Sequence, residues 1–404
     1  MLPSSRRRPI SIARCCDFQA DMTSPSRNAR CRPEAAVQGL APEAKMKRSM
    51  WRVAALFLLW SSQAVAAPDG PVLIDVERFA ELPAGVRQPE GMTVDPASGE
   101  FFVGTFDARE PASARNNQVL RYSAQGKVIA QRSFGATPLT GLAFRDGQVY
   151  MLNFGASKLQ RIPASFDANS PIEDVATFAA LSPAAPTERR IDNPDGSHDR
   201  ITYGASGLPA INGMVFDRAG NLYVSDSFQG AIYRIANATK CAPCQVEVFS
   251  RDALLGTTGA LPFGANGLAF SADEKILYIN NAGDGRVLRM TMPAGPVTVL
   301  AEGMYGADGL LFHRGFLWVA TNQIDNIVAL DERGRVRARA GRFEGIDADG
   351  APRGLLFPAA SAVQGDWMLV INLSLPITAA EGDEWEEEVT RWTIARFRIP
   401  ATMK

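Results

Sequence analysis

One five-residue pattern recurs along the chain: a variable residue, Gly, Leu or Met, a small or aliphatic residue, then Phe or Val. The copies are Glu90-Gly91-Met92-Thr93-Val94, Thr140-Gly141-Leu142-Ala143-Phe144, Asn212-Gly213-Met214-Val215-Phe216, Asn266-Gly267-Leu268-Ala269-Phe270, Asp308-Gly309-Leu310-Leu311-Phe312 and Arg353-Gly354-Leu355-Leu356-Phe357. The variable position therefore reads Glu90, Thr140, Asn212, Asn266, Asp308 and Arg353. Four of these offer a carboxylate or amide oxygen. Brought round one axis, those four oxygens would meet. Hard cations such as Ca²⁺ accept carboxylate and amide oxygens in flexible geometry, with water completing the shell, and two carboxylates offset a double charge. The simpler alternative is four polar side chains that line a wet channel and hydrogen-bond one another.

The elements that must position these residues are short strands. Each anchor is followed by turn residues and a second β-rich run, such as Phe101-Phe102-Val103, Leu222-Tyr223-Val224, Leu277-Tyr278-Ile279 and Leu317-Trp318-Val319. A third, alternating run follows, such as Val119-Leu120-Arg121-Tyr122 or Ile232-Tyr233-Arg234-Ile235, and most repeats add a fourth. Four strands per repeat, with anchors about 40 to 70 residues apart, is the pattern of a propeller blade. Six anchors predict an all-β, six-bladed β-propeller over 67–404. Its repeats cannot bury their faces alone, so this is one domain. Gly after each variable residue suits the axis, where innermost strands crowd together. The sixth repeat ends three strands in. The strand-like Pro71-Val72-Leu73-Ile74-Asp75-Val76 is expected to supply its outermost strand and close the ring, which removes an open edge.

In such a blade the first strand starts at the top of the channel, so the variable residues face its mouth. Asn153, Asp226, Asn281 and Asn322 end second strands, return to the same face and are candidate substrate contacts. Arg353 would oppose a divalent ion. It is read as pointing away or holding an anionic substrate group, the alternative being an ion pair with a neighbour such as Glu90. The chain has 2 His. His313 follows the first strand of the fifth repeat and belongs at the bottom of the ring. His198 lies in the segment 179–211, which accounts for the widest gap between anchors and is long enough to cover the channel. The acidic run from Glu381 to Glu388 reads as a solvated face that also rims the top.

The repeats Glu90-Gly91-Met92, Asn212-Gly213-Met214-Val215-Phe216-Asp217, Asn266-Gly267-Leu268-Ala269-Phe270-Ser271 and Asp308-Gly309-Leu310 resemble the senescence marker protein/gluconolactonase/luciferin-regenerating enzyme family. That group is related to paraoxonase and diisopropylfluorophosphatase. The likeness covers 85–404. It implies that Glu90, Asn212, Asn266 and Asp308 hold calcium, or another divalent ion, at the top of the channel. It further implies hydrolysis of a lactone or related ester, the ion polarising the carbonyl and Asp308 activating water or attacking directly. Paraoxonase-like sites are associated with a His at the pocket, and here this chain departs from them. A second reading is a non-catalytic propeller that binds a small molecule or protein partner around a structural ion, because propellers host many roles. A strictosidine-synthase-like propeller fits less well, since the four ligand positions are intact.

The start of the chain reads differently. Met46-Lys47-Arg48-Ser49-Met50-Trp51-Arg52 is basic, Val53 to Trp60 is an apolar run, and Ala64-Val65-Ala66 ends in small residues. This is a secretory signal peptide over 46–66, its apolar run too short to span a bilayer. Residues 1–45 precede it as an over-extended or disordered leader, with Met46 or Met50 the expected start. Residues 1–66 hold 11 of the 42 Lys and Arg and 4 of the 43 Asp and Glu, which leaves the remainder at net −8. With an overall charge of −1, the chain has no basic footprint for nucleic acid. The expectation is a periplasmic or secreted protein, free of the membrane after cleavage, acting on a small molecule. Cys241-Ala242-Pro243-Cys244 then reads as a local disulfide in an oxidising compartment. Apolar residues at 46% and charged residues at 21% exclude a disordered chain and a polytopic membrane protein.

Overall fold

A computed structural model describes residues 70–182, 188–202, 208–257, 259, 261–378 and 381–403. The expected leader and signal peptide lie outside these residues. Six antiparallel sheets stand round one axis. Blade one is formed by Pro89–Val94, Phe101–Thr105, Asn117–Tyr122 and Val128–Gly135, from the axis outward. The inner strands of blades two to six are Leu139–Arg145, Ile211–Phe216, Ala265–Phe270, Ala307–His313 and Pro358–Gln364. Each packs against the next, and Pro358–Gln364 packs back against Pro89–Val94, so the ring is closed. No helix among the described residues is long and apolar enough to cross a membrane.

The β-rich runs are nearly continuous in apolar character because each blade is covered on both sides. Successive residues of a strand point to opposite faces. Phe101 and Val103 therefore enter the layer between blades six and one, while Phe102 enters the layer between blades one and two. Leu277 and Ile279 face blade three, and Tyr278 faces blade five. A buried cluster fills each of the six interblade layers among the described residues. Phe101, Phe102 and Trp318 lose all exposure, and complete burial of such a side chain contributes about 1.5–3 kcal/mol.

Two expectations are corrected. The apolar segment Val72–Ile74 does not complete blade six. It runs parallel to Val336–Ala340 on the outer edge of blade five, with Leu73 79% exposed. The strand beside Thr393–Arg398 is the next one, Glu77–Glu81, paired antiparallel. An outer strand is half solvated, so apolar content does not select it. Glu77–Glu81 is held by the Arg396–Glu77 ion pair at 2.7 Å, by Phe79 under the Arg396 guanidinium at 4.3 Å, and by the buried Ala80.

The second correction concerns the sixth anchor. Arg353-Gly354 belongs to Pro352–Gly354, one arm of a two-stranded hairpin with Phe343–Ile346. Blade six has Ala359-Ala360 at the equivalent place. In blades two to five the pairing of first and second strands slips at the variable residue and its Gly, as between Ala265 and Leu268 or Ala307 and Leu310. In blade six the same slip falls between Pro358 and Ser361.

The anchor glycines are where blades touch. A Cβ on Gly91 would lie 2.1 Å from the Thr140 carbonyl oxygen, and on Gly141 2.5 Å from that of Asn212. On Gly213 it would be 2.3 Å from the Asn266 oxygen, and on Gly267 and Gly309 2.4 Å from the Asp308 and Ala359 oxygens. Gly213→Ala is expected to cost about 1–3 kcal/mol in urea unfolding. Gly256→Ala, at φ −82° with its nearest added contact at 3.6 Å, should be neutral or stabilising. Equal effects in the two variants would show that interblade contact is not what demands glycine.

Candidate functional site

A pocket at the mouth of the channel encloses about 460 Å³, mouth included. Its polar floor is Glu90, Thr140, Asn212, Asn266 and Asp308, one residue from the inner strand of each of blades one to five, with Asn322 beside them. Its walls are apolar: Phe106, Leu261, Phe263, Ala282, Phe357, Leu373, Leu375 and Ile377. The four oxygen donors named from the repeats thus share one pocket.

Their backbones are braced from the preceding blade. Thr140 donates its hydroxyl to the Ile211 carbonyl at 2.8 Å. Ser225 accepts from the Gly213 amide at 2.8 Å and donates to the Asn266 carbonyl at 2.6 Å. Asn280 donates its side-chain amide to the Asp308 carbonyl at 2.8 Å and to that of Gly309 at 3.1 Å. These contacts leave the side chains of Asn212, Asn266 and Asp308 facing the channel. Asn212 donates to Ser227 at 3.3 Å. Asn322 donates to Asp308 Oδ2 at 3.2 Å, and Asn266 also hydrogen-bonds Asp308.

The two carboxyl groups are electrostatically unsettled. Asp308 is 6% exposed. Burial pushes its carboxyl up to about 7 against the pull of the Asn322 and Asn266 amides. Glu90 keeps partial exposure at the mouth, yet its Oε2 is sealed from solvent and accepts no hydrogen bond. Burial first, and the Asp308 charge second, raise Glu90 well above the ordinary carboxylate range. Asn322 Oδ1 is likewise buried without a donor. No Lys, Arg or His is among the residues lining the pocket.

The other predicted contacts divide. Asn322 lines the pocket. Asn153 does not: it caps the turn after its strand by accepting from Ala156 and donates to Gln160. Asp226 accepts from the backbone of Ala210, Phe228 and Gln229 and from Tyr233, which fixes a loop. Asn281 donates to the Leu254 and Gly256 carbonyls and accepts from Asp284. These three fix the turns that follow their strands, and the turn held by Asn281 carries the wall residue Ala282. Arg353 is 56% exposed and lies 3.5 Å from Asp347 and 3.9 Å from Glu344, away from the pocket. A cation on a solvated hairpin needs no anionic ligand, because surface carboxylates satisfy it.

His313 ends the strand that Asp308 nearly begins, about 16 Å along it, in the turn to the next strand. His198 is exposed in the hairpin Glu188–Asp192/His198–Thr202. The described part of 179–211 contributes no lining residue. Of the acidic run, Glu384 accepts from the Ile377 and Thr378 amides at 2.8 and 2.9 Å and so fixes the turn that presents Ile377. Cys241 and Cys244 are disulfide-bonded at the blade three edge.

The walls were not read from the sequence. Their signal is apolar residues just outside strand ends, where loops are ordinarily polar: Phe106 after Thr105, Phe263 before Ala265, and Leu373 and Leu375 after Asn372. Phe357 adds a conformational signal. Its φ of 47° is left-handed, a costly region for a bulky side chain, and its amide donates to Asp325 at 2.8 Å.

No family model matches the chain, and no curated protein does. Solved structures share its fold. Luciferin-regenerating enzyme is 16% identical, with 81% of this chain and 95% of that chain covered and a TM-score of 0.52. A calcium-binding protein, regucalcin, from Agrobacterium tumefaciens str. C58 is 16% identical over 81% of this chain and 96% of its own, also with a TM-score of 0.52. At this identity the likeness is one of fold. It falls on the same group that the repeat motifs resemble.

Raised carboxyls bind more protons in the folded state than in the unfolded one. Without added cation, stability is therefore expected to fall as pH rises from about 4 towards about 7. The Glu90→Gln/Asp308→Asn variant should melt higher than wild type above that window in chelator, and the gap should close below it. Parallel melting-temperature curves for the two proteins would show that these acids are not raised.

Proposed function

We propose that the chain is a metal-dependent hydrolase of a lactone or related ester, exported to the periplasm or secreted, with its site at the channel mouth. The observation that carries this is the pair of acids, buried Asp308 and half-buried Glu90 with its Oε2 sealed from solvent, in a pocket lined by amides and apolar residues with no lining cation to offset them. The donor set fits a divalent ion of the calcium class. It is all hard oxygen, without thiolate or imidazole, and includes two carboxylates and the orphaned Glu90 Oε2. Glu90, Asn212, Asn266 and Asp308 would hold it. Asn266 turns its amide nitrogen to Asp308 here, so ligation would need that amide reversed, a change that leaves its volume untouched. Regucalcin is by name a calcium-binding protein of this fold.

Such an ion, when bound, supplies Lewis-acid polarisation of the substrate carbonyl. The rest is the work of the side chains. Asp308, deprotonated, takes a proton from water as the water oxygen adds to the carbonyl carbon. The ring C–O bond then breaks, and Asp308 returns the proton to the departing oxygen, which gives a hydroxy acid. Asn322 holds Asp308 Oδ2 and so orients the other carboxylate oxygen. Phe263, Phe357 and Leu373 exclude bulk water, which strengthens every charge interaction inside. Export is supported by the leader pattern and by the Cys241–Cys244 disulfide, a bond that persists in oxidising compartments.

The second reading, a non-catalytic binder, draws on the absence of His among the lining residues. Assay of the purified chain against aldonolactones, alkyl lactones and aryl esters separates the two. Chelation should abolish turnover and calcium restore it. Asp308→Ala should lower kcat by about 100-fold or more, and Asn322→Ala by about tenfold. Turnover unaffected by chelator, or equal in wild type and Asp308→Ala, would end the hydrolase reading.

A further inference from the structure

The walls of this pocket, more than its floor, discriminate among carbonyl compounds. Blade six contributes Phe357, Leu373, Leu375 and Ile377 to one side. Phe106, from the loop after Thr105, continues that side in the same cluster as Phe357 and Leu373, and Phe263 reaches the pocket from the blade four entry. Phe106 and Phe263 are the ends of a continuous series of rings across four blades. Phe106 meets Phe154 edge-on at 5.3 Å, Phe154 meets Phe228 at 6.4 Å, and Phe228 meets Phe263 at 5.3 Å. Each ring supports the next, so the two that reach the pocket are held in place. A rigid aromatic face loses little conformational freedom when a ligand covers it.

Three chemical consequences follow. A polyhydroxylated ring would bring hydroxyls against carbon, where they would lose water and find no partner. An anionic substrate would meet no lining Lys, Arg or His, and the charge of an ion held by Glu90 and Asp308 would already be balanced by those two carboxylates. A neutral compound with an alkyl or aryl substituent would cover the walls and leave only its carbonyl over the polar floor. We infer that the pocket selects neutral, apolar carbonyl compounds, medium-chain or aryl-substituted lactones and esters, over sugar lactones and anionic esters. The reacting carbonyl rests on the hydrolase reading above. The binding preference rests on the walls alone.

Two six-membered lactones test this: δ-decalactone, with an alkyl tail, and δ-gluconolactone, with hydroxyls. Their binding to the purified chain is measured by isothermal titration calorimetry, in chelator and then in calcium. δ-Decalactone is expected to bind at least about tenfold more tightly in both. Phe263→Ala and Phe106→Ala should each weaken it by about tenfold, and δ-gluconolactone should not respond. Ile377→Ser, at a rim position 37% exposed and so tolerant of change, should weaken it by about threefold in a folded protein. Equal or tighter binding of δ-gluconolactone overturns the inference. So does unchanged δ-decalactone binding in all three variants. Preferential δ-decalactone binding without hydrolysis in any metal upholds the preference and removes the hydrolase reading.

Discussion

The inner strands come so close that the carbonyl of one blade occupies the place a Cβ would take on the blade before it. That contact is repeated from Gly91 to Gly309 and is steric, with no slack. It fixes more than the packing of the ring. Because the carbonyls of Asn266 and Asp308 are seated on a glycine and gripped by Ser225 or Asn280, their side chains have one direction left, into the channel. Fold and site are therefore set by the same atoms. In blades one to five the variable residue changes from anchor to anchor while the glycine stays, and only blade six carries an alanine, Ala360, in the glycine's place. Chemistry on this scaffold is free at one position per blade and constrained at the next.

What the five variable residues create is an imbalance. Two carboxyls share one pocket, the charge of Asp308 acts on Glu90, and the amides of Asn266 and Asn322 offset Asp308 only in part. A buried acid without a partner either keeps its proton or gains a cation, because the desolvation of a bare charge is the larger cost. The apolar walls deepen that choice. The same Phe263 and Leu373 that would cover a ligand also strip water from the acids, so affinity for apolar matter and demand for a cation rise together.

The blades were legible because their strands are buried on both faces and the anchors repeat. The floor was legible for the same reason: one repeat position maps onto one structural position. Legibility failed where similarity was local. Arg353-Gly354-Leu355-Leu356-Phe357 matches the anchor pattern, yet its Gly sits in a hairpin, and the true position carries Ala359-Ala360. Val72–Ile74 is more strand-like than Glu77–Glu81, yet an outer strand is chosen by charge ladders and one aromatic rather than by apolar content. Asn153, Asp226 and Asn281 reach the correct face but spend their hydrogen bonds on loops. The walls could not be assigned from sequence, because loop residues have no periodicity to place them.

Blade six shows how one blade departs from the rest to good effect. With Ala359 and Ala360 in the anchor it offers no polar group to the floor, and a sixth donor would have added little to four. It supplies Phe357, Leu373, Leu375 and Ile377, half of the apolar wall. The left-handed backbone at Phe357 is what turns that ring to the pocket, and the Asp325 carboxylate holds it there by accepting the Phe357 amide. Strain of this kind persists only where surrounding contacts over-determine it, and here they do so beside the candidate chemistry. Five blades thus set where charge gathers. The sixth, and the aromatic series that runs on from it through Phe106 to Phe263, set what kind of molecule can come near.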